Sequence, residues 1–180
     1  FLEKANILVP ENDRIAYWFL PKQKEKLSII FARILEIKDD DIRNFFLIGF
    51  AQILKSCSIW LQKSIKPTRD QNKKIVEPLT AFINQTKKMI KKHSEFERIL
   101  NYEIKQNTDK YRIVECNDSR NLPCGDNKAS LIVTSPPYVT SYEYADLHQL
   151  PSLWFGYLSE LAEFRKKFIG SAYKSKKDLV

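Results

Sequence analysis

At residue 130 an apolar run, Ser130-Leu131-Ile132-Val133-Thr134, goes straight into Ser135-Pro136-Pro137-Tyr138. Two consecutive prolines end any strand, because neither has a backbone N–H to give to a ladder. They also stiffen the chain, and Pro137 keeps residue 136 extended. The run before them does not alternate, which is the pattern of a strand covered on both faces in a parallel α/β sheet. Ligands in open α/β sheets bind beyond the carboxyl ends of strands, so Ser135 to Tyr138 falls where a pocket is expected. Carbonyls there have no ladder partner. A strand-end carbonyl and the Ser135 hydroxyl are therefore free to accept hydrogen bonds beside the flat face of Tyr138. A planar ring carrying an exocyclic amine suits this arrangement, because the amine donates two hydrogen bonds and the ring stacks.

The preceding chain reads as mostly helical. Residues 1 to about 20 look irregular, and Pro21 can open a helix at its first turn. Leu27, Ile30, Phe31, Ile34 and Leu35 then recur at helical spacing over roughly 22–37. A second helix is expected over 38–65, with Asp39, Asp40 or Asp41 at its start and Lys66-Pro67 at its end. Its apolar residues run nearly all round, as in the central helix of a helical layer. Residues 67–104 read as one long helix or two, with a kink at Pro78. Near residue 108 the pattern changes. "KYRIVECND" (110–118) and "SLIVTS" (130–135) are β-type runs, joined by a connector containing Pro123 and Gly125. Helices follow over 144–170, with Pro151 a kink or turn and Gly156 a break or C-cap. The expected organisation is a helical subdomain, 1–107, and an α/β part, 108–180. Trp18, Trp60 and Trp154 are expected in the core.

Bulk properties narrow the function classes. The formal charge of +8 and pI of about 9.3 favour an anionic partner such as nucleic acid. Between residues 60 and 95, nine Lys and Arg face three acids, a net +6. Cys57, Cys116 and Cys124 form no CxxC pair and have no His at zinc spacing, so free thiols in a reducing, cytoplasmic compartment are expected and no metal. The first residues lack the basic and apolar regions of a secretory signal. The longest apolar stretch, 45–61, is interrupted by Gln52 and Lys55 and reads as a buried core helix, not a membrane span. The chain begins with Phe1 and reads as a piece of a longer protein.

"TSPPY" after a hydrophobic strand resembles the catalytic motif of the DNA amino-methyltransferases, Asp/Asn/Ser-Pro-Pro-Tyr/Phe/Trp. The segments "VECNDSRNLP", "YEYADLHQLPSLWFGYLSELAEFRKKFIGS", "AYWF" and "DDIRNFFLIGFAQILKSCS" are similar to regions around that motif in one bacterial and archaeal branch. The resemblance implies a partial Rossmann-like, S-adenosylmethionine-dependent methyltransferase fold behind a helical subdomain. It implies methyl transfer to an exocyclic amine of a base flipped out of duplex DNA, and the Ser form of the motif resembles the cytosine-N4 branch most. A restriction–modification setting, with a cognate restriction endonuclease as partner, follows from the same resemblance. So do the roles: Ser135, Pro136, Pro137 and Tyr138 catalytic, Asp118 and Thr134 toward the cofactor. The family's Gly-rich cofactor loop is missing here, since none of the glycines at 49, 125, 156 and 170 forms one. In that branch the loop precedes the helical region, so activity of these residues alone is not expected.

Blander readings stand beside these. Asp118 either contacts the cofactor or caps a turn. Tyr142, Tyr144 and Asp146 line the base pocket or simply pack. Lys63, Lys66, Arg69, Lys73 and Lys74, with Arg165, Lys166 and Lys167, face the DNA backbone or are solvated surface. Adenine-N6 methylation, an RNA or protein amine methyltransferase, and a non-catalytic nucleic-acid-binding remnant remain the alternatives.

Overall fold

The computed structural model describes residues 11–64, 66–111, 114, 121–122, 124–135 and 144–166. Its regular elements among those residues are eight helices. They fall into two compact units: Phe1–Met89 with Pro137–Val180, and Ile90–Pro136. The boundary expected at 107/108 falls inside the second of these.

The first unit begins with α1, Asp13–Trp18, where an irregular segment was expected. Asn12 makes the difference: its side chain accepts the Arg14 N–H at 2.9 Å and satisfies one of the orphan donors of the first turn. Ile15 and Trp18, three residues apart, both turn into the core. Pro21 then opens α2, Pro21–Leu35, at its first turn, as its fixed φ and missing N–H favour. Leu27, Ser28 and Ile34 are buried, and the Ser28 hydroxyl returns to the Lys24 carbonyl at 2.8 Å.

Helix α3 spans Asp40–Ile53, much shorter than the expected 38–65. Its start is as anticipated, with the Asp39 carboxylate accepting the Ile42 N–H at 2.9 Å. Its end is not. The hydroxyls of Ser56 and Ser58 donate to the carbonyls of Ile53 and Lys55 at 2.8 and 2.9 Å. Serine side chains that take up carbonyls at a helix end let the chain leave it. The Ile59 N–H then goes to Trp18 O at 2.9 Å. Residues 59–61 and 68–70 form a short antiparallel ribbon through the Trp60–Arg69 bridge, with Leu61 N to Thr68 O and Asp70 N to Ile59 O both at 2.8 Å.

Helix α4, Pro78–Ile99, also departs from the expected 67–104, because residues 67–77 are not helical. Pro78 is a start and not a kink. Glu77 supplies the cap, accepting the Thr80 N–H at 2.8 Å on its carboxylate. Gly49 lies where α3 faces α4: a Cβ there would make ordinary contacts, 3.4 Å from Met89 Sδ and 3.7 Å from Phe82.

Helix α7, Tyr144–Trp154, contains Pro151 within its last turn and ends in a Schellman motif. Gly156 adopts φ +70°, the Gly156 N–H reaches Leu153 O at 3.3 Å and the Tyr157 N–H reaches Ser152 O at 2.9 Å. Helix α8, Leu161–Lys166, follows. The core of this unit is aromatic. Trp18, Trp60 and Trp154 are all buried, as expected. Trp18 stacks on Trp60 at 4.9 Å, and Phe31 stacks on both Phe50 and Phe155 at 5.3 and 5.9 Å. A fully buried ring such as Phe50 contributes about 1.5–3 kcal/mol, the partly buried Phe31 and Phe155 less, and each pair about 0.5–1.5 kcal/mol more. The apolar stretch 45–61 thus feeds a core, and no described helix is long and apolar enough to cross a membrane.

The second unit holds the end of α4 with α5, Tyr102–Gln106, and α6, Thr108–Tyr111. Lys110 and Tyr111, expected to start a strand, are therefore helical, while most of 112–120 lies outside the described residues. The expected strand over 130–135 is likewise not formed. Leu131, Ile132 and Val133 are 80, 77 and 87 % exposed and pair with no strand among the described residues. A strand takes its hydrogen bonds and its cover from neighbouring elements, and none of the described residues supplies them to this run.

Candidate functional site

Thr134 and Ser135 close the 130–135 run, and both are exposed to solvent. Pro136, Pro137, Tyr138, Tyr142, Asp118 and Lys167 lie outside the described residues. The two hydroxyls are thus open, with no hydrogen-bond partner among the described residues.

Helix α7, shortly downstream of the motif in sequence, is firmly held. Gln149 is completely buried. Its Oε1 accepts Arg14 Nη2 at 2.8 Å and Trp18 Nε1 at 3.1 Å, and its Nε2 donates to Asp146 O at 2.8 Å. A buried amide with both ends satisfied fixes its own orientation and that of its partners. Asp146, a candidate for a base pocket, ties α7 to α8: one carboxylate oxygen accepts Arg165 Nη2 at 2.7 Å and Nε at 3.2 Å. Arg165, a candidate for DNA contact, is engaged there. Tyr144 is half-buried at the start of α7 and His148 is exposed on it. Sequence reasoning missed Gln149 and Arg14. The only trace was a lone amide on the apolar face of α7.

The basic residues named as nucleic-acid contacts divide into two kinds. Lys63, Lys66 and Lys74 are exposed. Arg69 is exposed too, with its guanidinium carbon 4.3 Å from the Tyr17 ring centroid. Lys73 differs: its ammonium donates to the carbonyls of Lys55 and Trp60, both at 2.6 Å. Burial of that ammonium pulls its pKa below the usual lysine value, with the neighbouring Lys55 charge adding to the fall. Lys73 is thus the clasp between the α3 end and the ribbon.

No group of three or more His, Cys, Asp or Glu fit to hold a metal occurs among the described residues. The described glycines form no cofactor cradle either: Gly49 is packed inside α3, Gly156 caps α7, and Gly125 stands alone near Lys128. The site residues described so far do not by themselves enclose a nucleoside cofactor.

The chain is similar to a methyltransferase. Over 158 residues it is 27% identical to the Type II methyltransferase M.MvaI of Kocuria varians, which covers 81% of this chain and 34% of that protein. It thus spans about a third of the length of that curated relative. No family model matches the chain, and no solved structure does.

Proposed function

We propose that this chain carries the catalytic motif of a DNA amino-methyltransferase that uses S-adenosylmethionine to modify an exocyclic base amine, cytosine N4 above adenine N6. The single observation that carries this reading is the similarity to a Type II methyltransferase along 81% of the chain, in a sequence that contains Ser135-Pro136-Pro137-Tyr138. In this reading residues 108–180 contribute to a Rossmann-like sheet, and the run 130–135 becomes a strand when its neighbours are in place. Residues 1–107 supply most of the helical subdomain, and α7 and α8 pack with its first 89 residues.

A base amine is a poor nucleophile because its lone pair is delocalised into the ring. Two acceptors that hold its hydrogens draw the nitrogen toward tetrahedral geometry and localise that pair. The Ser135 hydroxyl oxygen and the Pro136 carbonyl play these parts, and the prolines keep both fixed. Orientation and preorganised dipoles supply the rate gain, so no covalent enzyme nucleophile is called for. Extruding the base costs a few kcal/mol, and stacking on Tyr138 returns about 1–3 kcal/mol. S-adenosylmethionine is the methyl donor, and the described residues alone do not provide its cradle.

The test is methyl transfer to duplex DNA by the full-length protein that contains this segment, followed by identification of the modified nucleoside. Ser135→Ala and Tyr138→Ala are each expected to lower turnover by about 10²-fold or more, the scale of losing a positioned donor or acceptor. Near-normal turnover in both refutes the assignment. Recovery of N6-methyladenine in place of N4-methylcytosine moves the target to adenine and leaves the motif's role intact.

A further inference from the structure

Tyr17 carries two cations on one ring. The guanidinium carbon of Arg69 lies 4.3 Å from its centroid and that of Arg14 lies 5.3 Å away. Neither guanidinium has a carboxylate partner among the described residues. Arg14 gives Nη2 to the neutral amide of Gln149, while its Nε is buried and unpartnered among the described residues. A cation–π contact holds a cation but does not neutralise it. Both guanidinium charges therefore persist at one half-exposed ring, and both attract an anion that approaches it.

The surroundings extend the same charge. Arg69 sits in the ribbon, whose turn carries Lys63 and Lys66, and Lys74 follows it. Residues 55–74 contain six basic side chains and one acid, Asp70, one of whose carboxylate oxygens accepts the Asn72 N–H at 3.0 Å. Two of the six are internal struts. Lys55 donates to Ser64 O at 2.9 Å, and Lys73 is the clasp described above. They hold the ribbon's shape, which leaves Lys63, Lys66, Arg69 and Lys74 for solvent. Over the Tyr17 ring, the Arg69 guanidinium keeps its edge N–H groups free among the described residues, and those form the fork that fits phosphate oxygens.

We propose that the ribbon and the end of α1 form a phosphate-binding surface for the backbone of duplex DNA. Arg69 and Arg14 on Tyr17 are its fixed point, and Lys63 and Lys66 are outlying contacts. The choice of duplex DNA rests on the function proposed above; the anion site rests on the unpaired charges alone. Backbone contacts of this kind give sequence-independent affinity and a steep salt dependence.

The experiment measures binding of a labelled DNA duplex by the full-length protein as a function of salt. The triple variant Lys63→Gln, Lys66→Gln, Arg69→Gln removes three contacts, so the slope of log K against log salt should fall by roughly 2–3. A matched variant on the exposed face of α4, Lys87→Gln, Lys88→Gln, Lys91→Gln, should leave the slope near its original value. An unchanged slope in the ribbon variant, or an equal fall in the α4 variant, overturns the proposal. Tighter ribbon-dependent binding to an RNA of the same length overturns the choice of DNA. The binding readout is independent of methyl transfer. Should Ser135→Ala and Tyr138→Ala both keep near-normal turnover while the ribbon variant loses slope, the catalytic reading fails and the phosphate surface stands.

Discussion

The side-chain carbonyl of Gln149 on α7 accepts the indole N–H of Trp18 on α1 at 3.1 Å, across 131 residues of chain. The same oxygen accepts Arg14, so one neutral acceptor serves a buried aromatic donor and a cation. Two helices far apart in sequence are thereby locked at one point, and the segment downstream of Tyr138 runs into that lock.

Gln149→Leu keeps the volume and removes the acceptor. It leaves the Trp18 N–H buried and Arg14 without its bond, and each orphaned donor costs about 1–3 kcal/mol. A loss of about 2–4 kcal/mol in urea denaturation is expected. Adding Trp18→Phe should cost less in the Gln149→Leu background than in the wild type, because the orphaned donor is then gone. Equal costs in the two backgrounds would show that the pair is not coupled.

Gly156 holds φ +70° and has open space where a Cβ would go. Gly156→Ala therefore meets only backbone strain, and a loss of about 1 kcal/mol is expected. Gly156→Asn should fall between the two, since Asn tolerates the left-handed region better. Thermal unfolding of the three proteins orders them, and an alanine variant as stable as the parent contradicts the cap.

The Cys57 thiol is buried, and that burial raises its pKa from 9.0 to about 11. It should resist thiol reagents at pH 8 while the exposed Cys124 reacts at once. Peptide mapping after brief labelling distinguishes them. The linkage has a definite sign. A folded pKa above the unfolded one gives stability that is complete below pH 9 and lost as pH rises through about 11. The stability of the parent relative to Cys57→Ala should therefore decline over that interval, and a constant difference would contradict it.

Glu77 caps α4, and the Thr80 N–H, then the Lys26 ammonium, lower its pKa. Glu77→Ala should cost about 1 kcal/mol at pH 7, the usual worth of an N-cap. A depressed carboxylate pKa contributes stability that is present above the ordinary value of 4.5 and lost as pH falls through the folded one. The gap between parent and variant should close in acid. Denaturation at pH 7 and pH 3.5 tests this, and a gap of the same size at both values would remove the ionised cap from the account.

By itself the sequence determined the features that depend on near neighbours. Pro21 opened α2, Asp39 capped α3 and Gly156 closed α7, because each acts on backbone groups within a turn of itself. The three tryptophans read as core because their area is too large to leave in water. Tertiary structure decided what a single helical period cannot show. Periodicity over 38–65 continued past Ile53, yet the chain turned there, because Ser56, Ser58 and the Trp18 carbonyl supplied other partners. Lys73 looked like one more surface cation and became an internal clasp, because two carbonyls converge on it from the α3 end and the ribbon. Gln149 acquired its role from residues 131 and 135 positions away. The run 130–135 shows the same limit from the other side: an apolar pattern states a preference for a sheet, and only hydrogen-bonded neighbours make it a strand.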